Sequence, residues 1–454
     1  MKTDLHARST LNRAGWMLAA GLLALCACAM ARADAIDDYI GAQMRKQHIA
    51  GLSLAVVKDG KPVKLQGYGT ANLEWNTAVT AETVFKIGSV SKQFIASGVM
   101  LLVNDGKVSL DDSIVKYLEG APPSWNAITV RHALSHTSGL VREAPGFDAF
   151  KLQADAEVIK SAYAVALKFQ PGEKFEYCNL GYFILAEIIH KTSGKPWPEF
   201  MEERVFKPAQ MPATRTTAVA AVIRNRADGY WFKDGEQYNA TQYIALRPSG
   251  AFLSTVADLV KWNAALDSGS VLPRATLELM WTPVLLNSGE AAPYGFGWFI
   301  EPSAGHRRIH HGGSLPGFRA EFARFPDDNL SVIVLANGDA AQTDVIALGV
   351  AAQFVPELLP KRAAVRVGQR VLDAYAGRYV PRPNSMFTIT RVGDELLLVS
   401  DSGVEMTLAP LSATRFFWTD SPGTEFSFVK AAGGDWQLTM QNDGVEQLKA
   451  ARVP

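Results

Sequence analysis

The sequence predicts a chain of mixed α and β class that closes with a separate, small antiparallel β unit. Three observations predict it. Apolar residues alternate at period two near both ends of the first 360 or so residues, they recur at three and four in the middle, and beyond residue 370 only short alternating runs separated by turn residues remain.

The elements follow in chain order. Lys2, Arg8 and Arg13 precede an apolar stretch from Trp16 to Met30 that ends in Ala31-Arg32-Ala33, the layout of a secretory signal over 1–33. The stretch falls short of the ~20 residues that span a bilayer, and no later segment reaches that length, so the mature chain is expected to be periplasmic or secreted without an integral membrane segment. Leu25-Cys26-Ala27-Cys28 offers a second reading, a lipid anchor through Cys28. A short helix from Asp34 to Gln47 comes next, then strands Leu52 to Val57 and Val63 to Tyr68 around the turn dipeptide Asp59-Gly60. Helical spacing marks Phe94 to Asn104, Val130 to Ser135, Ala154 to Phe169 and Gly181 to Lys191, and Thr255 followed by Asp258 has the pattern of a helix start. Tyr294 to Ile300, Glu321 to Phe325 and Leu330 to Leu335 read as a β-meander, and a helix near Asp344 to Phe354 completes this region. Pro356 to Arg370 has no sustained period and reads as a linker. The runs Phe387 to Arg391, Glu395 to Val399, Glu405 to Leu411, Phe426 to Val429 and Gln437 to Met440 then predict a small antiparallel sheet or barrel.

Forty-five basic and 45 acidic side chains with 48% hydrophobic residues exclude a disordered chain and give no basic excess for displacing counterions from nucleic acid. A small molecule is the default partner, and oligomeric state is left open. Loss of the leader removes Lys2, Arg8, Arg13, Arg32 and Asp4, so the mature chain turns mildly acidic. It also removes two of the three cysteines, leaving Cys178 with no possible disulfide.

The chemistry concentrates in three short elements. In Phe85-Lys-Ile-Gly-Ser-Val-Ser-Lys-Gln-Phe94, Ser89 and Lys92 are three apart at a predicted helix start, which puts amine and hydroxyl on one face. A lysine kept neutral by burial can take the hydroxyl proton. Ser-x-x-Lys recurs at Ser113/Lys116 and Ser427/Lys430, so the spacing alone does not choose. Tyr177-Cys178-Asn179 is the one Tyr-x-Asn of the chain, and a phenol and a carboxamide on one loop can relay a proton and hold a substrate carbonyl. His311-Gly312-Gly313 lies between strands, where glycines on an edge let a substrate backbone come close and leave the next N–H, that of Ser314, free for an oxyanion. His310-His311-Gly312 also fits the pattern His-x-Gly.

These three elements in this order, with Leu134-Ser-His-Thr-Ser-Gly139, Phe169-Gln-Pro-Gly172, Ser254-Thr255 and Tyr294-Gly-Phe-Gly-Trp298, resemble the serine β-lactamase-like family over about Ile36 to Phe354. The match is closest to its class C β-lactamase, D-aminopeptidase and esterase branch. The resemblance implies an α/β sandwich with an antiparallel sheet plus an all-helical lobe, and a site between them. With the signal, linker and β-unit readings above, the expected domains are 1–33 (signal), 34–360 (β-lactamase-like hydrolase), 361–370 (linker) and 371–454 (β-rich accessory unit). The resemblance further implies Ser89 as nucleophile, Lys92 and Tyr177 as shared general base and acid, Asn179 as a ligand of Lys92 and substrate, and the backbone N–H groups of Ser89 and Ser314 as oxyanion hole. His311, with Gly313 and Ser314, is implied to bind substrate at the place where β-lactamases carry a lysine, and a mostly neutral histidine there speaks against efficient β-lactam turnover.

The reading is a serine hydrolase that works through an acyl-enzyme on amides or esters of small substrates, D-amino-acid peptides or short esters first, with no cofactor and no metal. A class C-type β-lactamase or D,D-carboxypeptidase is the alternative within enzymes, and a penicillin-binding-like sensor or scaffold that does not turn over is the alternative outside them. His132 and His136, four apart, lack a third ligand and read as structural. Tyr230, Trp231, Phe232, Tyr238 and Tyr243 either line an acyl pocket or cover part of the core.

Overall fold

In the computed structural model, which describes residues 35–453 apart from 218–219, 360, 383–384, 402, 432–433 and 443–444, the first hairpin forms as its turn requires. Asp59 and Gly60 both take positive φ, 52° and 73°, the backbone of a type I′ turn, and join β1 (Gly51–Lys58) to β2 (Lys61–Asn72). The predicted leader, residues 1–33 with Cys26 and Cys28, lies outside the described residues. Among the described residues no helix is long and apolar enough to cross a membrane.

The sheet continues with β3 (Thr77–Ala78), β4 (Phe299–Ser303), β5 (His306–Leu315), β6 (Phe318–Phe325) and β7 (Leu330–Ala336), in the order β3-β2-β1-β7-β6-β5-β4, every pairing antiparallel. β1 and β7 are apolar almost throughout because both faces are covered. Leu52, Leu54, Val56, Val332 and Val334 face helix α1 (residues 35–46) and the later helix over Thr343–Ala351, while Ala55, Ile333 and Leu335 face the helical lobe. Among that lobe's helices are α2 (Ser91–Asn104), α3 (Asn179–Ser193) and α4 (Val256–Ser268). Thr255 caps α4, accepting from Asp258 N at 3.0 Å, as the Thr-x-x-Asp pattern predicts. We call the Thr343–Ala351 helix α5.

Two expected elements differ. The helix expected over Ala154 to Phe169 stops after Asp155–Lys160, where the chain breaks into turns and Lys168 N donates to Gly139 O, drawing the segment toward the site loop. The strand expected from Tyr294 begins only at Phe299. Tyr294, Phe296 and Trp298 are instead buried in an irregular segment, which Gly297 at φ 82° brings against the backbone of Lys92 and Gln93. Their apolar alternation came from packing on α2, not from a ladder.

The C-terminal texture resolves into a closed eight-stranded antiparallel barrel from β8 (Gly377–Arg382) to β15 (Val445–Val453). Three of its strands, Gly377–Arg382, Arg415–Trp418 and Val445–Val453, lack the alternation that marked the other five. A short helix, α6 (Gln369–Tyr375), starts inside the stretch read as linker and buries Leu372 and Tyr375 in the barrel core, where Tyr375 stacks on Phe428 at 4.1 Å. Val365 N also donates to Pro410 O, so this stretch is pinned to the barrel. The aromatic run from Tyr230 splits its duties. Tyr230 is buried and its hydroxyl accepts from Leu73 N, Phe232 stacks on His48 at 3.8 Å, Trp231 and Tyr238 stay exposed, and Tyr243 meets Phe150 edge-on.

Candidate active site

Ser89 stands where the short Phe85–Lys86 strand turns into α2. From Thr83 to Leu102 every residue is buried except Ser89, so its hydroxyl is the one point at which this run meets an incoming molecule. Gly88 takes φ 51°, which lets the chain turn sharply enough to present it.

Lys92 is wholly buried one turn further on. Its Nζ lies 2.9 Å from Asn179 Oδ1, 2.9 Å from the Ser249 carbonyl oxygen and 3.1 Å from Ser89 Oγ. The first two atoms only accept, so they take two amine protons and leave the remaining tetrahedral direction facing Ser89. Burial first, then the charges of Arg247 and Arg142, hold the amine well below the ordinary lysine range and favour its neutral form. A lone pair aimed at a hydroxyl is the geometry of a general base. Asn179 is fixed in turn by its amide, which donates to Glu143 Oε1, an oxygen that also accepts from Arg247.

The Tyr177 hydroxyl is buried and finds no partner of good geometry, although Ser89 is close enough to offset part of what burial does to it. Burial dominates and pushes the phenol above its usual value, which favours the protonated form over the phenolate. The ring is held between Lys92 Nζ, 4.7 Å from its centroid, the Arg142 guanidinium at 5.1 Å, and the parallel ring of Phe299 at 6.2 Å.

Opposite this group runs the end of β5. β4 stops at the pair Phe299/His310, so from His311 to Leu315 the strand keeps only β6 beside it and its other edge is open. A Cβ on Gly313 would sit 1.9 Å from Ile87 O and 3.2 Å from Ser89 N, and one on Gly88 would sit 2.6 Å from Ser314 N. The two backbones touch because neither residue has a side chain, and this contact brings the backbone nitrogens of Ser89 and Ser314 close to each other.

His311 is neutral, as expected of a histidine at the place where β-lactamases carry a lysine. The imidazole is buried, Nδ1 lies 2.6 Å from Gly312 O, and Nε2 lies 2.9 Å from the Tyr294 hydroxyl. Burial above all lowers it to about 3, so it is neutral at working pH with both nitrogens engaged. The preceding His310 behaves oppositely, since the strand's alternation turns it to the other face. There it meets Glu321 at 2.8 Å and Glu301 at 3.3 Å, and despite burial and Arg308 these carboxylates raise it. The KM of a carboxylate-bearing substrate is therefore expected to stay flat from pH 5 to 8 in initial-rate measurements, because His311 carries no charge to lose.

His132 Nδ1 accepts from Thr129 N within a capping box, and His136 Nδ1 accepts from Cys178 N. Each is structural, and among the described residues no three potential metal ligands gather. Cys178 caps α3, with Sγ accepting from Gly181 N and donating to Val141 O, and burial pushes its thiol up to about 11. Cys178→Ala is expected to keep kcat/KM within about threefold, and the folded parent to resist iodoacetamide as followed by intact mass.

Sequence reasoning missed Glu143, Arg247, Arg142 and the Ser249 carbonyl. They carry no motif spacing and are gathered only by the fold. Tyr294 was noted within Tyr294-Gly-Phe-Gly-Trp298 but without its bond to His311.

The family model described as "Beta-lactamase" matches residues 36–354. Penicillin-binding protein 4* of Bacillus subtilis is 28% identical over 409 residues, 84% of this chain and 90% of its own length. A D-aminopeptidase of Brucella anthropi is 30% identical over 324 residues, 66% of this chain and 60% of its own length. Among solved structures, the octameric penicillin-binding protein homologue from Pyrococcus abyssi aligns with TM-score 0.68 at 25% identity, over 92% of this chain and all of that one. The D-amino acid amidase from Ochrobactrum anthropi SV3 aligns with TM-score 0.62 at 25% identity, over 72% of this chain and 97% of that one.

Proposed function

Because the chain belongs to the β-lactamase family and is a serine hydrolase, we propose that it cleaves amide bonds of small substrates bearing a D-amino acid, through an acyl-enzyme at Ser89. The observation that carries the proposal is the Lys92 amine, with two protons committed to carbonyl oxygens and its last direction on Ser89 Oγ. In the proposed sequence Lys92 takes the Ser89 proton as Oγ attacks the carbonyl carbon, and the N–H groups of Ser89 and Ser314 hold the oxyanion. Tyr177 delivers a proton to the leaving amine and is recharged from Lys92, and water then repeats the attack on the ester.

Two features favour a substrate with a free amine over one with a carboxylate. The position that would meet a carboxylate holds the neutral His311. Glu143, which accepts from Asn179 and Arg247 through Oε1, has a buried Oε2 without a partner beside the same group, where an ammonium would be received. The names of the D-aminopeptidase and the D-amino acid amidase point the same way. The test is turnover of D-alaninamide, nitrocefin and p-nitrophenyl acetate by the same preparation. D-Alaninamide is expected to exceed nitrocefin in kcat/KM by about tenfold or more, and L-alaninamide to be poor. Preference for nitrocefin would instead support a β-lactamase.

A further inference from the structure

The two oxygens that accept from Lys92 belong to distant segments, Asn179 at the start of α3 and the Ser249 carbonyl in the turn before the short strand Phe252–Ser254. A single side chain reaches both. Arg247 donates through Nη2 to Glu143 Oε1, the oxygen that also accepts from the Asn179 amide, and through Nε to Ser249 Oγ at 3.0 Å. These bonds close a ring that runs from Lys92 through Asn179, Glu143, Arg247 and Ser249 back to Lys92. The guanidinium is itself held in place, largely buried with its carbon 4.8 Å from the centroid of the Phe147 ring. Such a fork is particular to arginine, because its donors lie in one rigid plane, whereas a lysine offers one point charge on a flexible stem.

We propose that Arg247 is the positioning residue of the general base, its fork holding both acceptors of the Lys92 amine and so fixing the direction of the lone pair at Ser89. The proposal rests on the reading of Ser89 and Lys92 as nucleophile and base.

The charge of Arg247 has a second effect. The charged groups around Lys92 are Arg247, Arg142 and Glu143, because burial keeps Tyr177, Tyr182 and Cys178 protonated and His136 and His311 neutral. After burial itself, Arg247 does most to lower the amine. Removing this cation therefore raises the pH at which Lys92 gives up its proton.

The experiment is the rate of covalent labelling by a fluorophosphonate across the pH range, followed by intact mass, in the parent, Arg247→Met, Arg247→Lys, Ser249→Ala and the double variant of Arg247→Met with Ser249→Ala. The reagent needs only an activated Ser89, so the result does not depend on which substrate is preferred. Arg247→Met is expected to label about tenfold or more slowly at its best pH, with the midpoint of its acid limb moved upward. Arg247→Lys keeps the charge without the fork, so its midpoint should stay while its maximal rate falls about fivefold. Ser249→Ala should fall about threefold and add nothing to Arg247→Met, since both break the same link. It removes only a hydroxyl, so it decides even if Arg247→Met folds poorly. A parental rate in any of the three single variants, an unmoved midpoint in Arg247→Met, or additive losses in the double variant would overturn the proposal. A parent that takes no label would instead remove the nucleophile, and with it the base that Arg247 positions.

Discussion

Ser89→Ala is expected to lower kcat by roughly 10⁴-fold or more and to abolish covalent labelling by a fluorophosphonate, read as the loss of the adduct mass in intact-protein spectra. The magnitude follows from the site's construction. Ser89 is the only unburied residue of the run from Thr83 to Leu102, and among the described residues no second hydroxyl lies at hydrogen-bonding distance from the Lys92 amine. Lys92→Met should fall nearly as far and should not add to the first loss in the double variant, because nucleophile and base act as a unit. Its melting temperature supplies a control. Lys92 holds Asn179 Oδ1 and the Ser249 carbonyl, so this variant loses stability while Ser89→Ala does not. Persistence of a covalent adduct in Ser89→Ala would remove Ser89 from the nucleophile's role.

The second large effect is expected at a residue with no side chain. A methyl group on Gly313 would lie 1.9 Å from Ile87 O, a distance no packing tolerates, so Gly313→Ala must push β5 away from the nucleophile turn. The Ser89 and Ser314 N–H groups then separate, and kcat is expected to drop about 10²- to 10³-fold, the loss that follows removal of one oxyanion donor. Gly312→Ala is the matched control. Its Cβ would meet only Glu321 Oε2 at 3.1 Å and Ala320 O at 3.7 Å, so its loss should be several times smaller. Equal losses for the two variants would show that the contact at Gly313 has no special part in the chemistry.

What could be read from the sequence was whatever is encoded locally. Ser89 and Lys92 are one helical turn apart, Tyr177 and Asn179 share a loop, and the turn at Asp59-Gly60 and the cap at Thr255 depend on neighbouring residues alone. What escaped depends on distant partners. The neutrality of His311 comes from the packing that excludes water, and its Nε2 is engaged by the Tyr294 hydroxyl, neither of which shows in the triplet His311-Gly312-Gly313. Glu143 and Arg247 meet from segments more than a hundred residues apart. The irregular path from Tyr294 to Trp298 mimicked a strand because burial against a helix also demands alternating apolar residues. The barrel was legible as β structure but not as closed, because closure is decided by the pairing of Gly377–Arg382 with Val445–Val453, its first strand and its last.

The early end of β4 reaches beyond the reaction. An unpaired strand edge is the feature by which folded proteins zip together into aggregates, and a long, flat one invites another copy. Here the barrel has no edge, the far side of the sheet ends in the two-residue β3, and the open length of β5 is confined to His311 through Leu315. That stretch cannot be sealed without closing the site, so the opening that admits substrate is also an unpaired strand edge. Its shortness, and the seating of Gly313 against the turn at Ile87, keep a neighbouring chain from extending the sheet there.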